Sequence, residues 1–485
     1  MDVSQPVTRR SVLAGSAALL GSALLQGHSA TPAAADNEFF KTFTGTITPL
    51  PAGWLGESVH PMVSDGYLGA LRLGSDQIPR TNLHGSWVIH PTVLGNYLNL
   101  LLDSYETTKG RQPKNLARTV STMEGLMARA TRRRGAAFLR YEFPWHSFNG
   151  DLPSPWYSSF GQSKFPRVSW RLWKITGERR WLQTTRELTQ AFFQGPLTGQ
   201  PGLAWVAKVD PNHCLWLDEY PTPSGRASAV FNGHYYALSA LLSYQQLTGD
   251  KDAKRLVSGA AETLAEYRNL CRNPGRFSHY FASTSANVAS YHYINTSCYL
   301  NMYNHTGWAP FATTVDQMIS DWRFTEGQSA SLFVKGGYSH QIRRVTGSSG
   351  ANAGAASTWR PTKDLVVSSG ARSQWVSIRG VWSRMDSGPM KGHWLLETPY
   401  GYPEGFATDR CDYRFPRKLY FEPGRANSFV ANSRGHLSGL RVSTFHRRSL
   451  VHSTLRAKLN GGQYARVDDG GLAGRWVPLN AVTHF

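Results

Sequence analysis

Four short turns, "ETTKG", "KITGE", "QLTGD" and "YNHTG", each close one helical stretch on a glycine just before another begins. Apolar residues around them recur at helical spacing, as in Val230, Tyr235, Leu238, Leu241, Leu242 and Tyr244 ahead of Gly249. The first three turn glycines, Gly110, Gly177 and Gly249, are spaced by roughly 70 residues, the length of a helical hairpin with its loops. A lone αα-hairpin leaves an apolar face in water, so such units must stack or curl around one another. The pattern predicts a multidomain, mainly α protein. Its centre is an incomplete (α/α) toroid of about eight helices over residues 86–325, with a β-rich C-terminal region behind it. An irregular helical domain is the competing arrangement.

The flanks have a different texture. Arg9 and Arg10 precede a short apolar stretch and an A-x-A site at Ala33–Ala35, so residues 1–35 read as a twin-arginine export signal and the mature chain as secreted. That stretch is too short and too rich in Gly and Ser for a membrane span, and no later segment offers one. Residues 36–85 are punctuated by turns and lack a helical period, which predicts an extended or β arm. Past Trp322 the chain is rich in Gly, Ser, Val and Trp with period-two stretches, so residues 326–418 read as antiparallel strands. Residues 419–485, with tight turns at "NGG" and "DGG", read as a compact β module, similar to modules appended to secreted proteins that end Gly-x-Trp-x-Pro.

Charge narrows the partner. Lys+Arg 52 against Asp+Glu 32 leaves +20, which suits an acidic macromolecule. Export makes nucleic acid an unsuitable physiological target and leaves an acidic polysaccharide; a homodimer is left open. No P-loop, G-x-S-x-G, H-E-x-x-H or GxGxxG pattern occurs, and His279, His292 and His305 are not spaced as metal ligands on one helical face. No metal and no cofactor are therefore expected. Cys214, Cys271, Cys298 and Cys411 show no C-x-x-C spacing; a Cys271–Cys298 bridge and four buried thiols are the two readings.

The stretch "CLWLDEYPTPSGRASAVFNGHYYALSALL" places two acids and a tyrosine on a loop held by Pro221 and Pro223, directly ahead of a helix. Together with "PWYSSFGQSKFPRVSW" and "NVASYHYINTSCYLNMY", over residues 155–322, it resembles the C-terminal catalytic domain of D-glucuronyl C5-epimerases. That family carries "W-Y-S-A-x-x-Q-G-Q", then "E-E-Y-P-T" leading to "V-L-N-G-F-x-Y-S-L", and later "N-L-A-R-W-D-Y-H". "SWVIHPTVLGNYLNLLLDSY" is similar to its "Y-P-I-x-x-x-x-Y-G-L" element, with His90 at the aromatic position. The family's "I-Y-D-L-R-H" stands here as "FSHYFAST", without the arginine, and the familiar N-terminal β-barrel is not evident before the helices.

The resemblance implies a cofactor-free isomerase that removes the C5 proton of a glucuronic acid residue and returns one to the opposite face. It carries the proton-handling roles to Glu219, Tyr220 and Tyr293. Such chemistry needs two proton carriers and donors that neutralise the enediolate. A tyrosine titrates at about 10, so it acts as base only beside a cation. Trp216, Arg226, Tyr280, Gln162 and Tyr157 are the expected substrate contacts, Trp216 as a groove wall and Arg226 on the carboxylate. Each has a structural alternative: Glu219 as a turn cap, the tyrosines as core aromatics, Arg226 as a solvated surface group. A polysaccharide lyase and a non-catalytic glycan-binding protein are the rival functions.

Overall fold

The turn "QLTGD" shows why this sequence makes hairpins. Thr248 donates its hydroxyl to the Tyr244 carbonyl at 3.0 Å and accepts the Asp250 N–H at 3.1 Å. Gly249 takes a left-handed φ of 68° that a side chain would resist, and its N–H reaches the Gln245 carbonyl at 2.7 Å. Asp250 then caps the next helix by accepting the Ala253 N–H at 2.9 Å. Thr176–Gly177 and Thr306–Gly307 repeat the Thr and Gly bonds, so one helix ends and the next begins within a few residues.

The computed structural model describes residues 39–51, 70–147, 150–196, 203–282, 289–322, 330–346, 352–375, 378–404 and 410–484. The export signal read at 1–35 lies outside them. In chain order the helices are α1 (Pro91–Thr107), α2 (Pro113–Arg129), a single turn α3 (Ser159–Gln162), α4 (Phe165–Thr176), α5 (Arg179–Gln190), α6 (Phe231–Thr248), α7 (Lys251–Cys271), α8 (Ala289–Thr306) and α9 (Ala309–Asp321). Prolines in the first turns of α1, α2, α4 and α9 occupy positions where no intrahelical N–H is needed.

Among the described residues the eight long helices pair as α1/α2, α4/α5, α6/α7 and α8/α9. The first helices of successive hairpins also pack in order, α1 on α4, α4 on α6 and α6 on α8. Burial follows that arrangement: α6 is buried on most of its circumference, from Phe231 and Tyr235 through Leu238, Leu241 and Leu242. One apolar core joins Leu98, Leu101, Met123, Phe165, Leu172 and Trp181 of the first two hairpins. Another joins Leu238, Leu241, Leu256, Leu264, Tyr299 and Met318 of the last two.

The arm expected before the helices contains an antiparallel three-stranded sheet, Leu71–Leu73, Pro79–Leu83 and Ser86–Val88. Beyond the helices come a three-stranded and a five-stranded sheet, then a seven-stranded antiparallel sheet built from strands between Cys411 and His484. At "NGG", Asn460 and Gly461 both have positive φ (45° and 75°), the two-residue turn that suits the twist of a hairpin. Strand Cys411–Phe421 runs through residue 418, where composition suggested a boundary, so the final β unit starts earlier than the sequence implied. It also seats that unit on α8, through Tyr303 Oη to the Phe415 carbonyl (2.8 Å) and Asn304 Nδ2 to the Asp412 carbonyl (3.0 Å). All four cysteines are buried free thiols, so the Cys271–Cys298 bridge is not formed.

Candidate active site

Strand Leu215–Leu217 is wholly buried and leads straight into Asp218-Glu219-Tyr220. His234 of α6 holds its end, accepting the Leu217 N–H on Nδ1 at 2.9 Å and donating from Nε2 to the Ala260 carbonyl of α7 at 2.9 Å. Asp218 is spent on the loop itself. Its carboxylate accepts the Ser228 and Ala229 N–H groups and the Ser228 hydroxyl, closing residues 218–229 into a ring. The Asp218 carbonyl accepts the Ser159 N–H at 2.9 Å, so the "WYSS" and "DEYPT" segments, far apart in sequence, are physically joined.

Glu219 emerges from that ring against the first turn of α6. A Cβ on Gly233 would lie 2.1 Å from Glu219 Oε2 and 2.8 Å from its Cβ, which is why "NG" stands there. The carboxyl is 8% exposed, and its Oε2 has no hydrogen-bond partner among the described residues. Burial first, then the charge of Asp218, pushes its pKa up to about 7, against a hydrogen bond from Tyr220 that lowers it.

A second segment completes the cluster. Val230 and Phe281 form a β-bridge, and the Phe231 N–H donates to the Tyr280 carbonyl at 3.2 Å. On α8, His292 Nδ1 accepts the Ser278 N–H (2.9 Å) and Asn295 Nδ2 donates to the His279 carbonyl (2.9 Å), which fixes residues 278–282 from the other side. Tyr280 thereby meets Tyr220, with which it hydrogen-bonds, and Tyr291 of α8, whose ring centroid is 4.4 Å away. Tyr291 is hydrogen-bonded to Tyr280 as well. The result is a chain of acidic hydrogens, Tyr291–Tyr280–Tyr220–Glu219. Burial, followed by the nearby Glu219 carboxylate, raises the phenols of Tyr220, Tyr280 and Tyr291 above their ordinary 10. No cation lowers them, contrary to what a tyrosine base would require. Phenols raised above 10 stay protonated at neutral pH, which leaves Glu219 as the member of the cluster that changes charge near neutrality.

Several expected contacts have other duties. Gln162 is 1% exposed and pins strand Ala136–Phe138 to α5, accepting the Leu139 N–H and donating to the Ala137 and Leu188 carbonyls. Tyr157 is in the core with its hydroxyl on Thr131 at 2.9 Å. Trp216 is 2% exposed, with Nε1 on Asp210 at 3.1 Å and its ring against Phe231, His234 and Tyr267, so it is core and not a groove wall. A strand buried on both faces simply needs large apolar residues. Arg226 lies exposed on the ring loop, where its backbone bonds Thr222. Tyr293 is 45% exposed and Tyr291 stands in the cluster in its place. The sequence carries the signal: the family element ends in Y-H, and the Y-H pair here is Tyr291-His292, two residues before the ungapped match. Two positions on a helix turn a side chain through about 200°.

Lys164 escaped the sequence reading. Its Nζ lies 4.7 Å from the centre of the Phe160 ring, which stacks on Tyr236 at 5.3 Å; Tyr236 in turn lies within the electrostatic reach of Tyr293, Glu219 and Tyr291. Lys164 has no carboxylate partner among the described residues, and burial pushes its pKa down to about 8. It stands where "W-Y-S-A-x-x-Q-G-Q" ends in glutamine.

Residues 134–320 match the D-glucuronyl C5-epimerase C-terminus family, so the resemblance read from the motifs is shown over that part of the chain. Among curated proteins none matches. Solved structures overlap it in part. Cellobiose 2-epimerase from Bacillus thermoamylovorans aligns with a TM-score of 0.38 and 10% identity, over 63% of this chain and 73% of that one. A sugar epimerase from a ruminal bacterium aligns at 0.36 and 12%, over 49% and 61%. A D-mannose isomerase aligns at 0.34 and 10%, over 53% of this chain and 66% of its own length. These low scores say nothing about substrate.

Proposed function

We propose that the four hairpins curl into an incomplete (α/α) toroid and that the cluster at its helix ends epimerises C5 of glucuronic acid residues in an acidic polysaccharide. The observation that carries this reading is Glu219: a buried carboxyl with one free oxygen, a pKa near neutrality and a tyrosine chain behind it. The match over residues 134–320 supports an epimerase. The +20 charge supports an acidic polymer, and Arg9 and Arg10 ahead of an apolar stretch support export.

In this mechanism ionised Glu219 takes the C5 proton, and the C–H electron pair moves into the adjoining carboxylate as an enediolate. Lys164 pairs with that carboxylate and stabilises the added charge, in the role left open by the missing arginine. Tyr291 returns a proton to the opposite face, which rehybridises C5 with inverted configuration. The proton on Glu219 then passes through Tyr220 and Tyr280 to the Tyr291 phenolate, and every group regains its starting state. A positioned acid or base of this kind contributes about 10²–10⁴-fold.

The test is isotopic. Glucuronic-acid polymer incubated with the protein in deuterated water gains deuterium at C5 while its chain length stays constant. Shortened chains with ultraviolet-absorbing C4–C5 unsaturation identify a lyase instead, because the electron pair then leaves through the C4 oxygen. Binding with neither change identifies a glycan-binding protein and overturns the enzymatic reading.

A further inference from the structure

Where the seven-stranded sheet meets the helices, Asp316 of α9 is buried between Arg417 and Arg456 of two neighbouring strands. The three side chains are 9%, 3% and 5% exposed. Arg417 Nη1 donates to Asp316 Oδ2 at 2.7 Å, and Arg456 Nη1 donates to Oδ1. Arg456 Nε donates to Gln463 Oε1 at 3.2 Å. The second neighbour of Arg417 is Tyr413: the guanidinium lies 5.4 Å from the ring centre and acts on the hydroxyl as a donor, and Arg417 Nε and Nη2 are buried without a well-formed hydrogen bond among the described residues.

These groups and Ser453 line a small cavity closed elsewhere by Leu419, Ala465 and Leu479. Two guanidiniums share one carboxylate, leaving one positive charge among walls that supply no further charge, an arrangement that costs several kcal/mol when nothing compensates it. Water would satisfy the two N–H groups and leave the charge. A small anion satisfies both. The nearby set of Arg372, Lys458 and Glu397 sharpens the contrast. It too has two cations on one carboxylate, but Arg372 places both Nε and Nη2 on Glu397, Lys458 Nζ joins them, and none of the three is left with an unbonded nitrogen.

We infer that the Arg417–Arg456–Asp316 cavity is a binding site for a small monatomic anion such as chloride, which clamps the final β sheet to α9. The free space accommodates about one water-sized occupant, which favours a halide over sulfate or phosphate. Burial pulls the Arg456 pKa down to about 9.

The experiment compares thermal unfolding of the full chain in sodium chloride and in sodium gluconate at equal ionic strength. Chloride is expected to raise the apparent Tm saturably, by about 2–4 °C at saturation. Arg417→Met should abolish that response. Because it also strips Asp316 of a partner and endangers folding, Ala465→Val provides a second arm, narrowing the cavity while keeping all three charges; it too should lose the chloride response. Crystals grown in bromide should show an anomalous peak within hydrogen-bonding distance of Arg417 Nε and Nη2. An unsaturable or identical response in chloride and gluconate, together with no bromide peak at Arg417, overturns the inference.

Discussion

Replacing Glu219 with glutamine should inactivate the protein and stabilise it at the same time. Burial lifts this carboxyl from an ordinary 4.5 to about 7, so the folded chain holds the proton more tightly than the unfolded one. The stability tied to that proton is complete below 4.5 and is lost as pH rises through about 7. The shift corresponds to roughly 3 kcal/mol against the charged form, and relaxation around a real buried charge reduces it to about 1–2 kcal/mol. Glutamine has the same shape, still fits against Gly233, still accepts from Tyr220, and never ionises. Glu219→Gln should therefore raise the apparent Tm by about 2–4 °C at pH 8 and by almost nothing at pH 4.5. Turnover on glucuronic-acid polymer should fall by about 10²-fold or more. Calorimetry at the two pH values beside a C5 deuterium-exchange assay reads both effects. Equal Tm for variant and wild type at both pH values would refute the argument, since a carboxyl that ionises at no cost has no raised pKa.

The same electrostatics predict a bell-shaped kcat/KM profile, rising through about 7 as Glu219 ionises and falling through about 8 as Lys164 loses its proton; Lys164→Arg should move only the alkaline limb, upward. Tyr291→Phe should lower kcat by about 10²-fold with little change in polymer affinity, whereas Tyr293→Phe should change kcat less than about threefold, measured on the same polymer. Gly233→Ala drives a methyl group into the Glu219 carboxyl and should cost about 1–3 kcal/mol in denaturant unfolding, with loss of exchange activity. An unchanged unfolding midpoint would show that the loop yields freely.

The helical hairpins were legible because their turns are self-contained: Thr, Gly and Asp each act on neighbours a few residues away, and a short window of sequence holds the whole device. Glu219 and Tyr220 stand in the motif "DEYPT", which marks them in the sequence, whereas Tyr280 lies in the segment that departs from the family pattern. Gln162, Tyr157 and Trp216 were misread for one shared reason. A polar or aromatic residue beside a motif looks the same in sequence whether it faces a cleft or anchors the strand beneath it, and only the partners decide. Gln162 spends both donors and an oxygen lone pair on Ala137, Leu139 and Leu188, which lie 23 to 26 residues away. The tyrosine on α8 was lost to register: a gapless comparison selects Tyr293, which is 45% exposed, whereas Tyr291 packs on Tyr280. His292 was the better guide, because its bonds to Ser278, Met318 and Trp322 fix the rotation of α8 that brings Tyr291 inward.

The exchange of an arginine for a lysine at a different place changes what the proposed site can do. An arginine on the 278–282 segment would sit beside the phenols and carry a charge at every accessible pH. It would lower their pKa values and bring a tyrosine base within reach. Without it the phenols are raised, and in the proposed mechanism the task of base falls to Glu219, whose own pKa is raised chiefly by burial with no neighbouring cation to lower it. Lys164 lies beyond Phe160 and Tyr236, on the α3–α4 turn, so its charge can meet a substrate carboxylate without neutralising Glu219 in the unliganded protein. A burial-weakened ammonium regains its proton affinity when a carboxylate arrives. Substrate binding to this site should therefore take up protons at pH 8 and above, a linkage that a guanidinium clamp would not produce.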